Sequence, residues 1–205
     1  DMRYPLLEGV PAVYIEASFR GHKASPGNYS ATLLVGNQTL TAPLEIKANP
    51  HYETTSAHYA DYHEFMSSAE ATYNQMTQHV NRLYAIKGRI DALLAQEGLI
   101  QGDLRQQAQK VSADIGAWDA LMVQRLSKAY DDVENYVNGF TANYIRAFNE
   151  GDSDQPRITQ GTRQRVAELQ QIWMGHKKTA DELEQQQVPA LSKALFAQGI
   201  GALAY

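Results

Sequence analysis

Between residues 26 and 48 apolar and polar side chains alternate one for one. Tyr29, Ala31, Leu33 and Val35 share one side of an extended run, and Leu40, Ala42, Leu44 and Ile46 share one side of the next. Gly36-Asn37 between them is a two-residue turn signal of the glycine-first kind. The pattern predicts an antiparallel hairpin over 28–47 with one apolar face that needs a cover. Pro43 lacks a backbone donor and predicts an edge in the second strand. VPAVYIEASF at 10–19 reads as another strand or as an irregular extended pass. That makes three or four candidate strands, where a self-sufficient β-sandwich needs about seven.

Beyond residue 55 the period changes from two to the three-and-four steps of a helix. Tyr59, Tyr62, Met66, Ala69, Tyr73, Met76, Val80, Leu83, Ile90 and Leu94 form one stripe, interrupted only by Lys87 and widened by Ile86 and Leu93. A helix from about Ser56 to Gln96 is expected, stopping at Gly98. A second stripe runs Val111, Ile115, Trp118, Met122, Leu126, Ala129, Val133, Tyr136, Phe140, Tyr144 and Ala147. It predicts one long helix that starts with Asp103 as N-cap and Gln106 completing a capping box, and ends near Asn149. Gly116 and Gly139 lie inside it as places of bending or close approach. A third helix, from Thr159–Thr162 onward, carries Val166, Leu169, Trp173, Ala180, Leu183, Leu191 and Leu195, with Pro189 expected to bend or interrupt it. The fold expected is therefore mainly α. A long antiparallel three-helix bundle occupies 51–205, and a partial β domain with the hairpin occupies 1–50.

Composition narrows the chemistry. The 205 residues are 43% hydrophobic and 20% charged with a net charge of -5, a folded composition without a dense basic stripe. The basic clusters RGHKA at 20–24 and HKK at 176–178 are short, so no nucleic-acid partner is expected. No apolar run reaches membrane-spanning length. With no cysteine, disulfides, thiolate metal sites and cysteine catalysis are excluded. HExxH, GxSxG and phosphate-loop motifs are absent. His51, His58, His63 and His79 gather toward the first helix without a pair three or four apart, so surface or boundary positions are expected for them, with no metal and no cofactor. Asp61 and Glu64, and Asp131, Asp132 and Glu134, are expected on solvated helix arcs. Twelve tyrosines are the unusual feature. Near the sheet–helix junction, packing accounts for most of them, and the surface on which a ligand or partner would sit is assigned to Tyr52, Tyr59, His58 and Tyr14.

DMRYP at 1–5, the RG pair at 20–21, PGNYSATLLVGNQTLTAPLEIKANP and AELQQIWMGHKKTADELEQQQVPALSKAL together resemble the C-terminal region of large bacterial secreted proteins with sortilin-like (VPS10/BNR-type) β-propeller repeats, often labelled glycosyl hydrolase-like. The hairpin matches at Pro26, Gly27, Tyr29, Leu33, Gly36 and Leu44, and the helical part matches by layout and over 167–183. The resemblance implies an immunoglobulin-like sheet whose earlier strands lie upstream, a periplasmic or extracellular location, and an upstream propeller domain or another protein as partner. It carries no active-site residue onto this chain.

Three functions follow as expectations: a non-catalytic scaffold or docking module, part of a secreted hydrolase acting on glycans or peptides, or a small ligand-binding domain at the sheet–helix junction. A broad exposed apolar patch would favour the first. An acid pair, or a histidine and an acid, brought to one pocket from different elements would favour the second. An aromatic cleft near Tyr52 and Tyr59 would favour the third.

Overall fold

The structure is a computed structural model that describes residues 2–201 and 203. It is mostly helical, with one two-stranded antiparallel sheet near the N-terminus. Strands β1 (Gly27–Val35) and β2 (Gln38–Ile46) pair in the register Leu33 with Leu40 and Tyr29 with Leu44. Gly36 has φ 59°, a value that glycine adopts without cost, as a turn with glycine first requires. The two strands thus put Tyr29, Ala31, Leu33 and Val35 beside Leu44, Ala42 and Leu40 on one face. That face is uncovered. Every residue from Gly27 to Glu45 is exposed, with Leu33 at 58% and Leu40 at 60%. Among the described residues no third strand joins the sheet. The 10–19 segment is irregular, and its neighbourhood holds only an isolated bridge between Arg3 and Lys23.

Helix α1 (Ser56–Ala95) is the unbroken rod the stripe predicts. Thr55 Oγ1 accepts from the His58 amide and His58 Nδ1 accepts from the Thr55 amide, each at 3.3 Å, so two orphan donors of the helix start are satisfied reciprocally. Met76, Val80 and Leu83 have no exposed surface. Around α1 pack α2 (Gly102–Met122), α4 (Phe140–Gly151) and α5 (Gln160–Glu182). Leu7 and Val10, from the irregular N-terminal segment, join the same core.

The second helix is not one rod. It ends at Met122, leaves through a loop holding the short helix α3 (Asp132–Asn135), and resumes at α4. Leu126 and Tyr136, expected on the buried stripe, are exposed. Local polar bonds explain the interruption. Asp132 accepts the amides of Lys128 and Ala129 at 2.6 and 2.9 Å, and these bonds hold its carboxyl below the ordinary range. Asp119 pairs with both Arg125 Nη2 and Nε. The Tyr14 amide donates to the Ser127 carbonyl, and Ser127 Oγ to that of Tyr14. The loop returns to its start at Gly139, where a Cβ would lie 2.7 Å from the Met122 oxygen and the Val123 Cα. Asp103 is not the N-cap. Gly102, at φ 54°, turns the chain into the helix, Gln101 caps without a side-chain bond, and Asp103 sits in the first turn.

The third helix is continuous. Pro189, lacking an amide hydrogen, would clash with the carbonyl four residues earlier in a regular α-helix. A π-helical turn (Leu183–Gln187) widens the backbone just before it, and α6 (Val188–Ala197) completes the rod. Among the described residues no helix is long and apolar enough to cross a membrane.

Candidate functional site

Where the hairpin meets the helices, four pieces of chain converge: residues 23–26 ahead of β1, 46–56 after β2, the first turns of α1, and the loop after α4. A cavity of about 430 Å³ opens there, lined by Lys23, Pro26, Ile46, Tyr52, Tyr59, Tyr62 and Asp154 among others. A second, of about 450 Å³, shares Ser25, Pro26 and Tyr59 with the first and adds Tyr4, Tyr29, Ala48 and His63. Both have the size of small-molecule sites.

The walls are held by hydrogen bonds. Tyr29 donates its hydroxyl to the Ser25 carbonyl at 2.7 Å, which fixes the hairpin root. Thr54 Oγ1 donates to the Tyr59 hydroxyl at 3.2 Å. Lys23 Nζ reaches the Ser153 carbonyl and Asp154 Oδ1 at 3.0 and 3.1 Å. Tyr62 donates to Asp152 Oδ1 at 2.9 Å, and Arg3 holds the other oxygen at 2.7 Å. Burial, with the negative charge of Asp152, pushes the Tyr62 phenol above its usual range, so it stays a donor.

Behind the second cavity lies a buried polar chain. His22 has no exposed surface. Gly21 makes its position possible: a Cβ there would stand 2.5 Å from the Tyr4 and Pro5 carbonyl oxygens, so only glycine lets the first residues cross over. Tyr4 consequently stacks on the His22 ring, centroids 4.2 Å apart and planes 10° apart. Glu70 Oε1 accepts the His22 amide at 2.6 Å, and its Oε2 stands 2.9 Å from His22 Nδ1, within ion-pair distance but out of line for a hydrogen bond. On the far side His22 Nε2 meets His63 Nδ1 at 2.9 Å. Ser67 Oγ is 3.4 Å from that same Nδ1.

The structure brings two of the four sequence-assigned residues to these cavities. Tyr52 lines the first and Tyr59 lines both. His58 lines neither, because its imidazole closes the capping box. Tyr14 is elsewhere, bonded through its backbone to Ser127 and edge-on to Tyr130 at 6.3 Å. The sequence reading missed His22, His63 and Glu70 as a group. His63 and Glu70 stand seven apart on one helix face, which the period shows, but His22 arrives from a loop 41 positions earlier.

The expectation of surface or boundary histidines is corrected at His79, and His22 is buried as well. His79 is buried against Trp173, with Nδ1 3.0 Å from Glu184 Oε1 and Nε2 3.9 Å from Asp181. Arg82 holds the other Glu184 oxygen at 2.9 Å. Carboxylates facing the ring nitrogens make such burial tolerable, and the cluster fastens α1 to the π turn. Among the described residues no three His, Cys, Asp or Glu side chains converge to hold a metal ion. Comparison with family models, curated proteins and solved structures finds no match to this chain.

Proposed function

We propose that the chain is a non-catalytic docking module of a larger exported protein, in which the helices hold out the hairpin to be completed by a neighbouring β domain of immunoglobulin-like type. One observation carries this reading: a regular one-sided apolar hairpin with its apolar side in water. Isolated two-stranded hairpins are marginal, and such a face is stabilised by being covered. The edges are unequal. Counting from the two-residue turn, Val35 and Gln38 form a hydrogen-bonded pair, so Ser30 and Pro43 form a non-bonded one. The Pro43 nitrogen then faces outward and leaves a gap in the free edge of β2. The free edge of β1, with the amides of Thr32 and Leu34, is unobstructed, and strand addition belongs there. Resemblance to propeller-associated secreted proteins makes an upstream propeller protein the natural partner.

Hydrogen exchange tests this. In the chain alone the Thr32 and Leu34 amides exchange rapidly. In the full protein encoded by the reading frame they become protected. Equal exchange in both would refute docking through β1.

A second reading, a small-molecule site at the junction, is favoured by the two tyrosine-lined cavities. Saturable binding of an uncharged aromatic compound, lost in Tyr59→Ala while the fold persists, is the expected result. Binding unaffected by that change would move the ligand away from the junction.

A further inference from the structure

The geometry points to the second junction cavity as the specificity pocket of the docking edge: it takes an uncharged aromatic side chain near the C-terminal end of an antiparallel strand laid along β1. This rests on the first reading above, that the free edge of β1 receives an added strand.

The place of the cavity carries the inference. Of the two strands only β1 lines it, through Tyr29, together with Ser25 and Pro26 just ahead of that strand. The first cavity instead takes Ile46, at the end of β2. The second cavity therefore lies at the foot of the β1 side of the hairpin, away from the edge that Pro43 interrupts.

The free edge leads down to it. By the pairing counted from the turn, the amides of Asn28 and Ser30 face outward like those of Thr32 and Leu34. An added antiparallel strand makes hydrogen-bonded pairs with these four residues. It makes non-bonded pairs with Leu33, Ala31, Tyr29 and Gly27, where side chains approach most closely and share the apolar face. Such a strand runs from the turn toward the root, so its C-terminal end arrives opposite Gly27. Gly27 presents no side chain, and the Tyr29 ring leans back over it: a Cβ there would lie 3.7 Å from Tyr29 Cε2. An aromatic residue opposite a glycine near a sheet edge covers that gap, and here it turns to the same side as Tyr29, which lines the cavity.

The lining sets the class of side chain. Tyr4, Tyr29 and Tyr59 supply rings, and among the described residues no lysine, arginine, aspartate or glutamate lines this cavity. A charged group entering it would lose its water without a fixed opposite charge, whereas an uncharged ring packs favourably. Two walls are set in advance. Tyr29 is tied to the Ser25 carbonyl at 2.7 Å, and the Tyr59 hydroxyl receives Thr54 Oγ1 at 3.2 Å. Rings held before binding cost less to order when the partner arrives. Main-chain bonds along β1 would thus supply affinity, and the pocket at its foot would select the partner.

The probe is the peptide acetyl-Lys-Val-Thr-Val-Lys-Val-Thr-Phe-amide, with its apolar residues on alternate positions and the ring last. Its control ends in Ala instead of Phe. At saturation the first peptide should protect the Thr32 and Leu34 amides from exchange. It should bind at least about ten-fold more tightly than the control, the effect of burying one aromatic side chain. Ala60→Trp, at an exposed position of α1 that lines this cavity and not the first, should fill the pocket. In that variant the two peptides should bind equally while the amides are still protected. Equal affinities in the wild type, or a preference for Phe that survives Ala60→Trp, overturn the pocket while docking along β1 stands. Peptides that leave both amides unprotected overturn the pocket and the docking edge together.

Discussion

Helix α1 and the β1–β2 hairpin carry equally regular apolar patterns and meet opposite fates. Along α1 the stripe is sealed, with Met76, Val80 and Leu83 wholly buried. Along the hairpin the alternation is equally strict, yet Leu33 and Leu40 remain more than half exposed. The difference lies in what each element can reach. A rod of forty residues presents its stripe to three other helices at once. The hairpin projects from its root, where Tyr29 is tied to Ser25, and beyond that root Leu33, Val35 and Leu40 of its apolar face lie in water. A pattern states that a face is to be covered. It does not state by what.

The same charge placed on each face should have very different effects. Val80→Asp buries a carboxylate in the sealed stripe and should lower unfolding stability by at least about 3 kcal/mol. Leu33→Asp should change it by less than about 0.5 kcal/mol, because that side chain is already in water. Denaturant melts of the two variants give the contrast directly, and similar losses would mean the hairpin packs against the helices in solution.

Next in size is Gly139→Ala. Its new Cβ would meet backbone atoms at 2.7 Å, so α2 and α4 must separate, at a cost of about 1–3 kcal/mol. An unchanged melting temperature would show that the excursion between them does not close as described.

Tyr73→Phe runs the other way. The Tyr73 hydroxyl is buried without a partner among the described residues, and burial alone pushes its phenol above the usual range. Removing it should stabilise the bundle by about 1 kcal/mol. A loss instead would show that a buried water completes the site.

The smallest effect belongs to the boundary of the bundle. His176 sits edge-on to Phe140 at 5.0 Å, and burial lowers its pKa below the ordinary 6.5. The unfolded chain therefore binds this proton more readily than the folded one. Stability falls as pH drops through 6.5 and levels off below the folded value. His176→Gln should flatten that part of the stability–pH curve, measured by denaturant melts between neutral and mildly acid pH. A curve of unchanged slope would remove His176 as its source.

The hairpin with its glycine-first turn, the limits of α1 and the third helix were legible because each depends on contacts within a few residues of chain. The sequence also marked Tyr52 and Tyr59, since the step from alternation to helical period locates the junction. It misjudged the second helix. Leu126 and Tyr136 fit the stripe, but Asp132 and the Ser127–Tyr14 pair offered the backbone other partners, and the period cannot weigh those.

Periodicity and turn chemistry, which are local, determined the hairpin, α1, the third helix and the apolar face that each carries. Tertiary structure alone decided which faces were covered, that the 123–139 segment would leave the bundle, and that His22 would lie between Glu70 and His63. The His22 contacts join groups 48 and 41 positions apart in the chain within about 3 Å, and spacing along one sequence holds no record of such distances.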